Sequence, residues 1–223
     1  MVDGPGKLPA LPHPPPAHPF RLRPCAAGHW FRVHGFDAVS GRFAPDAFND
    51  SSNGDARFSP LLDPASGTII PTIYAAVSTA GAISEVVLHD VPTPSTGYLH
   101  DWERDKASNL HLSQVALPDL QLADLQSQGL QAAGLEQWEL FGTNKPDYPR
   151  TRAWGLHIWQ TMPAAQGLLW MSRRANDSAV LMLFGDRVPP GALTVIAGPV
   201  PIAEYEHDVF AILDRLGCGI AIS

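Results

Sequence analysis

Apolar residues occur along the chain as short runs and as longer helical spacings, in no regular alternation. Runs rich in β-branched and aromatic residues predict strands, and apolar positions that recur about every 3.6 residues predict helices. The predicted strands are 29–33, 72–77, one or two within 111–125, 167–171, 179–184 and 218–222. The predicted helices are 79–89, 148–162 and 203–216. This mixture, without a repeated strand–helix–strand unit, indicates the α+β class or an irregular α/β arrangement.

The predicted helix that follows strand 72–77 carries a carboxylate on an otherwise apolar surface. Ser78 is suited to cap its N-terminus, and the helix neighbours of Glu85 are apolar. Burying a carboxylate among apolar groups costs free energy unless a partner or a ligand compensates. Glu85 is therefore a candidate site residue, together with Tyr74 in the strand before it. Glu85 and His89 lie one helical turn apart, a spacing that favours a hydrogen-bonded pair over a metal site.

Two segments show no periodicity. Residues 1–24 hold 8 of the 22 prolines, a composition that favours extended polyproline conformations and cannot form a packed core. We predict a flexible tail over 1–27, in preference to an SH3-type ligand, and one catalytic domain over 28–223. Residues 37–71 are rich in loop-forming residues, and a loop of that length is often functional or mobile.

Charge and composition exclude several classes of protein. The chain has 223 residues, 45% of them hydrophobic, which suits one large globular domain. Its net charge is −7, from 15 basic and 22 acidic residues, without a run of Lys and Arg. Nucleic-acid affinity depends on clustered cations, so we expect no direct nucleic-acid binding. A small anionic ligand needs only a few placed arginines.

The cysteines, the histidines and the hydropathy define no further class. Cys25 and Cys218 lie too far apart to give a disulfide framework or a metal spacing. The nine histidines form no convincing ligand pair, and we expect no metal. No apolar stretch reaches the ~18 residues of a membrane span. The N-terminal residues lack the apolar core of a secretory signal, so we expect a cytoplasmic protein without membrane contact.

Four residues in four segments are the candidates for chemistry. Arg57 lies in the loop N-G-D-A-R-F-S-P, Tyr74 and Glu85 belong to the strand and helix above, and Ser172 ends the predicted strand G-L-L-W-M. Arginine suits an anionic ligand because its planar fork binds two phosphate oxygens at once. Taken singly, Arg57 is more often a surface residue, Tyr74 a core aromatic and Ser172 a turn residue.

Together these segments resemble a known family. FNDSSNGDARFSPL, PTIYAAVSTAGAISEVVLHDVP, YPRTRAWGLHIW and GLLWMSRRANDSAVLMLFGDRV are similar to the RES domain, which is named for its Arg, Glu and Ser. The resemblance covers residues 29–222. It implies an α+β fold like that of ADP-ribosyltransferases such as diphtheria toxin, with a central pair of small sheets flanked by helices. It also implies the activity of a bacterial toxin that degrades NAD+ by hydrolysis or phosphorolysis.

The resemblance assigns a role to each main candidate. Glu85 is expected to stabilise the positive charge that develops on the ribose, and Arg57 to bind the pyrophosphate or an inorganic phosphate co-substrate. Tyr74 is expected to stack on a ring of NAD+, and Ser172 to bind the nicotinamide amide or the ribose. The resemblance implies that NAD+ is the substrate and that no cofactor is required.

Three further residues complete the prediction for the site. Arg32 in F-R-V and Phe58 beside Arg57 are further candidates for contacts with NAD+, with a structural role for Arg32 equally open. Arg42 in S-G-R-F is an alternative to Arg57.

The resemblance leaves the acceptor and the assembly open. The acceptor is water, phosphate or a protein, and the last case would make the chain a protein ADP-ribosyltransferase. A catalytically silent binding module of the same fold is another alternative. The implied partner is an Xre-type helix-turn-helix antitoxin that blocks the active site. Both a monomer and a homodimer are compatible with the sequence.

Overall fold

A computed structural model describes residues 20–40, 43–92, 94–142 and 145–221 of the chain. Arg42 and residues 1–19 of the predicted tail lie outside the described residues. In the described part no helix is long and apolar enough to cross a membrane.

The secondary structure comprises twelve strands and six α-helices within the described ranges. The strands are β1 (Leu22–Cys25), β2 (Gly28–Gly35), β3 (Leu61–Leu62), β4 (Ile69–Ile70), β5 (Thr72–Ala76), β6 (Leu99–His100), β7 (Leu110–Leu117), β8 (Leu120–Asp124), β9 (Gly167–Met171), β10 (Ala179–Phe184), β11 (Thr194–Pro201) and β12 (Gly219–Ile220). The helices are α1 (Thr79–Val86), α2 (Trp102–Lys106), α3 (Ser127–Ala132), α4 (Gln137–Phe141), α5 (Tyr148–Thr161) and α6 (Glu206–Arg215). Short 3-10 helices precede α5 and α6, at Lys145–Asp147 and Ile202–Tyr205.

The main sheet has eight strands in the order β1-β8-β9-β10-β5-β2-β7-β11. Its neighbours are antiparallel except β8 and β9, which run parallel. Strands β2 and β5 share a single residue pair, Phe31 with Ala76, so the sheet has a five-stranded and a three-stranded part joined at one point. The α+β class is confirmed. The expected pair of small central sheets is not formed by the described residues, which build this one sheet and the two-stranded sheets β12-β6 and β3-β4.

Both faces of the central strands are buried, which explains their continuous apolar runs. In β10, Val180, Met182 and Phe184 belong to one buried cluster, and Leu181 and Leu183 belong to another. This alternation follows from the two-residue period of a strand. Helices α1, α5 and α6 contribute to the first cluster, and the loop between β10 and β11 contributes to the second.

The domain begins earlier than the predicted boundary between residues 27 and 28. Strand β1 pairs with β8 along its whole length, and Phe20 is buried with its ring edge-on to Trp154. Pro24 lies inside β1. A proline is tolerated there because β1 is an edge strand, where a missing N–H interrupts no ladder on the outer side.

Candidate active site

Helix α1 is fixed at its start by a close contact with the turn after β9. The Ser78 Oγ accepts a hydrogen bond from the Gly81 amide at 3.0 Å and lies 2.7 Å from the Ser178 Oγ. A side chain at position 81 would place its Cβ 2.1 Å from that Ser178 oxygen. Only glycine allows this approach. The predicted cap by Ser78 is confirmed.

The Glu85 carboxylate is held by a serine from the same turn. Glu85 is half-buried, and its Oε1 accepts a hydrogen bond from the Ser172 Oγ at 2.7 Å. The Ser172 Oγ in turn accepts from the backbone amides of Arg174 and Ala175, at 3.4 and 3.2 Å. The end of β9 therefore orients the carboxylate. Ser172 itself is fully buried, so it contacts Glu85 and the turn rather than the open cleft.

The Arg57 guanidinium lies between two aromatic rings and a helix end. Its Nη1 donates to the Leu140 carbonyl at 3.0 Å. Its Cζ lies 5.3 Å from the ring centre of Tyr148 and 5.7 Å from that of Phe141. Burial lowers the pKa of Arg57, while Tyr148 and Glu85 act to raise it. This environment restricts the guanidinium plane, as cation–π contacts with arginine do.

Helix α5 anchors the loop that carries Arg57. The Arg152 Nε donates to the carbonyls of Ala56 and Ser59, at 3.2 and 3.0 Å, and the Thr151 hydroxyl donates to the Arg57 carbonyl. Sequence reasoning missed Arg152 although it lies in the segment Y-P-R-T-R. An arginine bound to backbone carbonyls has no local sequence signature.

Tyr74 is a neutral phenol on the same side of the molecule. Its hydroxyl donates to the Ser59 Oγ at 3.1 Å, and its ring is edge-on to Trp170 at 6.2 Å. Burial raises the pKa of Tyr74 to about 12, against smaller opposing hydrogen bonds. The phenol is therefore uncharged at neutral pH.

Two adjoining cavities meet at the candidate residues. The larger, about 530 Å³, is lined by β2, β5 and the loop before Arg57, and includes Tyr74 and Glu85. The smaller, about 350 Å³, includes Ser84, Tyr148, Arg173 and Arg174. Both are lined by Arg57, Glu85, His89, Asp90 and Lys145. The volumes lie in the range of small-molecule sites, roughly 300–1,000 Å³. The prediction that Tyr74 and Glu85 face one cleft is confirmed.

A chain of polar contacts runs along the lining of the smaller cavity. The Lys145 Nζ lies 2.9 Å from the Asp90 Oδ2, the Asp90 Oδ1 lies 2.9 Å from the His89 Nδ1, and the His89 Nε2 lies 2.5 Å from the Tyr148 Oη. The predicted pairing of Glu85 with His89 does not form, because α1 ends at Val86 and His89 turns toward Tyr148 instead.

Two other candidates, Phe58 and Arg32, make contacts within the protein around the site. Phe58 is fully buried and packs edge-on against Phe141 and Trp170, so its ring reaches neither cavity. Arg32 borders the larger cavity, but its Nη1 donates to three carbonyls of the loop 44–47, at 2.6 to 3.5 Å. Burial lowers the pKa of Arg32 to about 10. The structural role that the sequence left open for Arg32 is the one the contacts favour.

No metal-binding cluster is evident in the described ranges, since no three His, Cys, Asp or Glu residues there could hold an ion together.

Comparison with known proteins yields one family and one fold. The family model described as the RES domain matches residues 29–207. The fold is similar to a chain of the crystal structure of the M. tuberculosis MbcT–MbcA toxin–antitoxin complex, with a TM-score of 0.56 and 21% sequence identity. That similarity covers 81% of this chain and 88% of the other. No curated protein matches the sequence.

Proposed function

The chain belongs to the RES domain family, and from this membership and the geometry of the cleft we propose that it is a toxin-like enzyme that cleaves the nicotinamide–ribose bond of NAD+. The observation that carries the proposal is the Glu85 carboxylate, which Ser172 holds at 2.7 Å in a cleft shared with Arg57. The ADP-ribosyl group passes to water or phosphate, and free nicotinamide leaves.

The role of Glu85 follows from the charge that the reaction develops. Breaking the bond leaves positive charge on the ribose, as in glycoside hydrolysis. A fixed carboxylate beside that charge lowers the barrier, and it acts most strongly where its orientation is set in advance. Nicotinamide departs from its cationic form, so the proposed reaction needs neither an acid at the leaving group nor a cofactor.

The cations of the cleft suit a dinucleotide. Arg57, held in one plane by its two aromatic neighbours, can bind the pyrophosphate or a phosphate co-substrate in bidentate fashion. Arg173 and Arg174 add positive charge at the smaller cavity, where Lys145 is paired with Asp90. Tyr74 offers a neutral ring to the larger cavity, where a heterocycle can pack. Two joined cavities offer space for the two halves of NAD+.

The finer description of the fold belongs to the same proposal. We take the sheet to be the ADP-ribosyltransferase-like arrangement that the family resemblance implies. The single joint at Phe31 and Ala76, which separates a five-stranded from a three-stranded part, supports this.

The acceptor is identified by the products. Purified protein incubated with NAD+, with and without inorganic phosphate, should release nicotinamide in both cases, and mass spectrometry then separates ADP-ribose from its 1″-phosphate. ADP-ribose attached to protein would instead favour protein ADP-ribosylation. Intact NAD+ in all samples would indicate that the chain is a catalytically silent binding module.

Ser172→Ala should uncouple Glu85 from the turn after β9. The substitution removes the donor to Glu85 and the acceptor of two backbone amides, so we expect a stability loss of about 1–3 kcal/mol. Turnover should fall as well, because the carboxylate loses its fixed orientation. Chemical denaturation and nicotinamide release measure the two effects, with Ser52→Ala at an exposed position as the control. Unchanged values for both would contradict the role given to Ser172.

The proposed enzyme needs an inhibitor in its host. NAD+ is required by every cell, and we place the reaction in the cytoplasm. We propose an Xre-type helix-turn-helix antitoxin that covers the cleft beside Arg57 and Glu85. DNA binding would belong to this partner, because the chain carries a net charge of −7.

Expression of the chain alone should arrest growth while cellular NAD+ falls. Glu85→Gln, expressed to the same soluble level, should restore growth because the fold persists without the catalytic charge. Growth rate and extracted NAD+ are measured together. Normal growth with abundant soluble wild-type protein and steady NAD+ would count against the proposal.

A further inference from the structure

Three side chains that line the smaller cavity form a hydrogen-bonded series. Asp90, His89 and Tyr148 all line this cavity, and the distances along the series are 2.9 Å from Asp90 Oδ1 to His89 Nδ1 and 2.5 Å from His89 Nε2 to Tyr148 Oη. The order is carboxylate, imidazole, hydroxyl, which is the order in which enzymes connect an orienting group, a base and a reacting hydroxyl.

The contacts assign one tautomer to His89. A carboxylate oxygen accepts hydrogen bonds, so the Nδ1 that faces Asp90 carries the proton and donates it. The Nε2 is then an acceptor, and the Tyr148 hydroxyl donates to it. Lys145 holds the other Asp90 oxygen at 2.9 Å and so keeps the carboxylate turned toward the ring. In this state the imidazole is ready to receive a proton from Tyr148.

The surroundings of Tyr148 bear on proton transfer through its hydroxyl. Burial raises the pKa of the phenol, and the Arg57 guanidinium, 5.3 Å from its ring centre, opposes that shift. The phenol therefore rests protonated, and Arg57 offsets part of the cost that burial imposes on negative charge at its oxygen during a transfer. The Ser84 hydroxyl, buried in the same cavity, has no hydrogen-bond partner among the described residues. A polar ligand atom there would satisfy it.

We propose that Asp90, His89 and Tyr148 are a proton relay for the acceptor, and that the acceptor is water. The inference rests on the proposed cleavage of NAD+. As the water oxygen bonds to the ribose carbon, the bond to nicotinamide breaks and its electron pair stays on the nicotinamide nitrogen. The water proton passes to the Tyr148 Oη, the Tyr148 proton passes to the His89 Nε2, and Asp90 stabilises the imidazolium. Glu85 stays charged throughout.

The test uses a nucleophile that has no proton to lose. Tyr148→Phe keeps the ring under Arg57 and deletes only the hydroxyl, and His89→Gln interrupts the relay one step later. Both should slow ADP-ribose formation by roughly 100-fold, the usual contribution of general base catalysis. Sodium azide should restore nicotinamide release in both variants by about tenfold or more, with ADP-ribosyl azide identified by mass. Tyr205→Phe, on the 3-10 helix before α6, is the matched control and should behave as wild type.

The outcomes separate the relay from a structural role. Wild-type hydrolysis rates in Tyr148→Phe and His89→Gln would overturn the relay. Slow release with both water and azide would overturn it too, because misplaced groups are not rescued by a proton-free nucleophile. Glu85→Gln should stay slow with azide, since its loss affects the ribose and not the acceptor. A wild-type protein that releases no nicotinamide would instead refute the proposed function, and the relay with it.

Discussion

Glu85→Gln should lower nicotinamide release by roughly 100-fold or more, the effect of removing one preorganised electrostatic stabiliser. The substitution deletes the charge and keeps the shape. Its amide oxygen can still accept the hydrogen bond from Ser172, so the thermal midpoint should change little. The loss should appear in kcat more than in KM, because the charge on the ribose develops only in the transition state.

A surface carboxylate provides the control for this variant. The Glu103 side chain is 55% exposed and pairs with Lys106 at 3.3 Å on α2. Glu103→Gln changes net charge by the same amount and should leave turnover unchanged. Near-normal turnover in folded Glu85→Gln would remove Glu85 from the proposed mechanism.

Arg57→Ala should weaken the use of NAD+ or of phosphate. A hydrogen bond to a charged group contributes about 1.5–3 kcal/mol, so KM should rise by roughly 10- to 100-fold. Arg57→Lys should recover only part of this, because lysine keeps the charge and loses the planar fork. Steady-state kinetics with NAD+ and phosphate varied separately assign the effect to one of the two ligands.

Arg42 is the comparison residue for Arg57. Arg42→Ala should be close to wild type if Arg57 is the anion-binding arginine. Normal kinetics for Arg57→Ala with an inactive Arg42→Ala would move the site to Arg42. Full activity in Arg57→Lys would point to a long-range charge effect instead of a bidentate contact.

The local part of the site could be predicted because its signals are local. The apolar surroundings of Glu85, the cap at Ser78 and the strand before it are encoded within 15 residues or so, a range that helix periodicity and capping rules cover. Residues 148–162 likewise match α5 almost to the residue.

The long-range part could not be predicted from periodicity. The Ser172 hydroxyl contacts Glu85 across 87 positions, and Tyr148 contacts His89 across 59. Strand order and side-chain pairing at such separations are fixed by tertiary packing, which leaves no periodic trace. For the same reason the sequence predicted that Ser172 contacts the ligand, whereas the structure places it behind Glu85. The short helix α4, which presents the Leu140 carbonyl to Arg57, has no distinct sequence pattern.

The most direct test of the central claim is a time course of NAD+ and free nicotinamide with the purified chain, resolved by chromatography and mass. Wild-type protein should consume NAD+ and release nicotinamide in equal molar amounts, over many turnovers, while Glu85→Gln at the same concentration leaves NAD+ almost untouched. NAD+ that stays intact with folded wild-type protein, in the presence and absence of phosphate, would contradict the account.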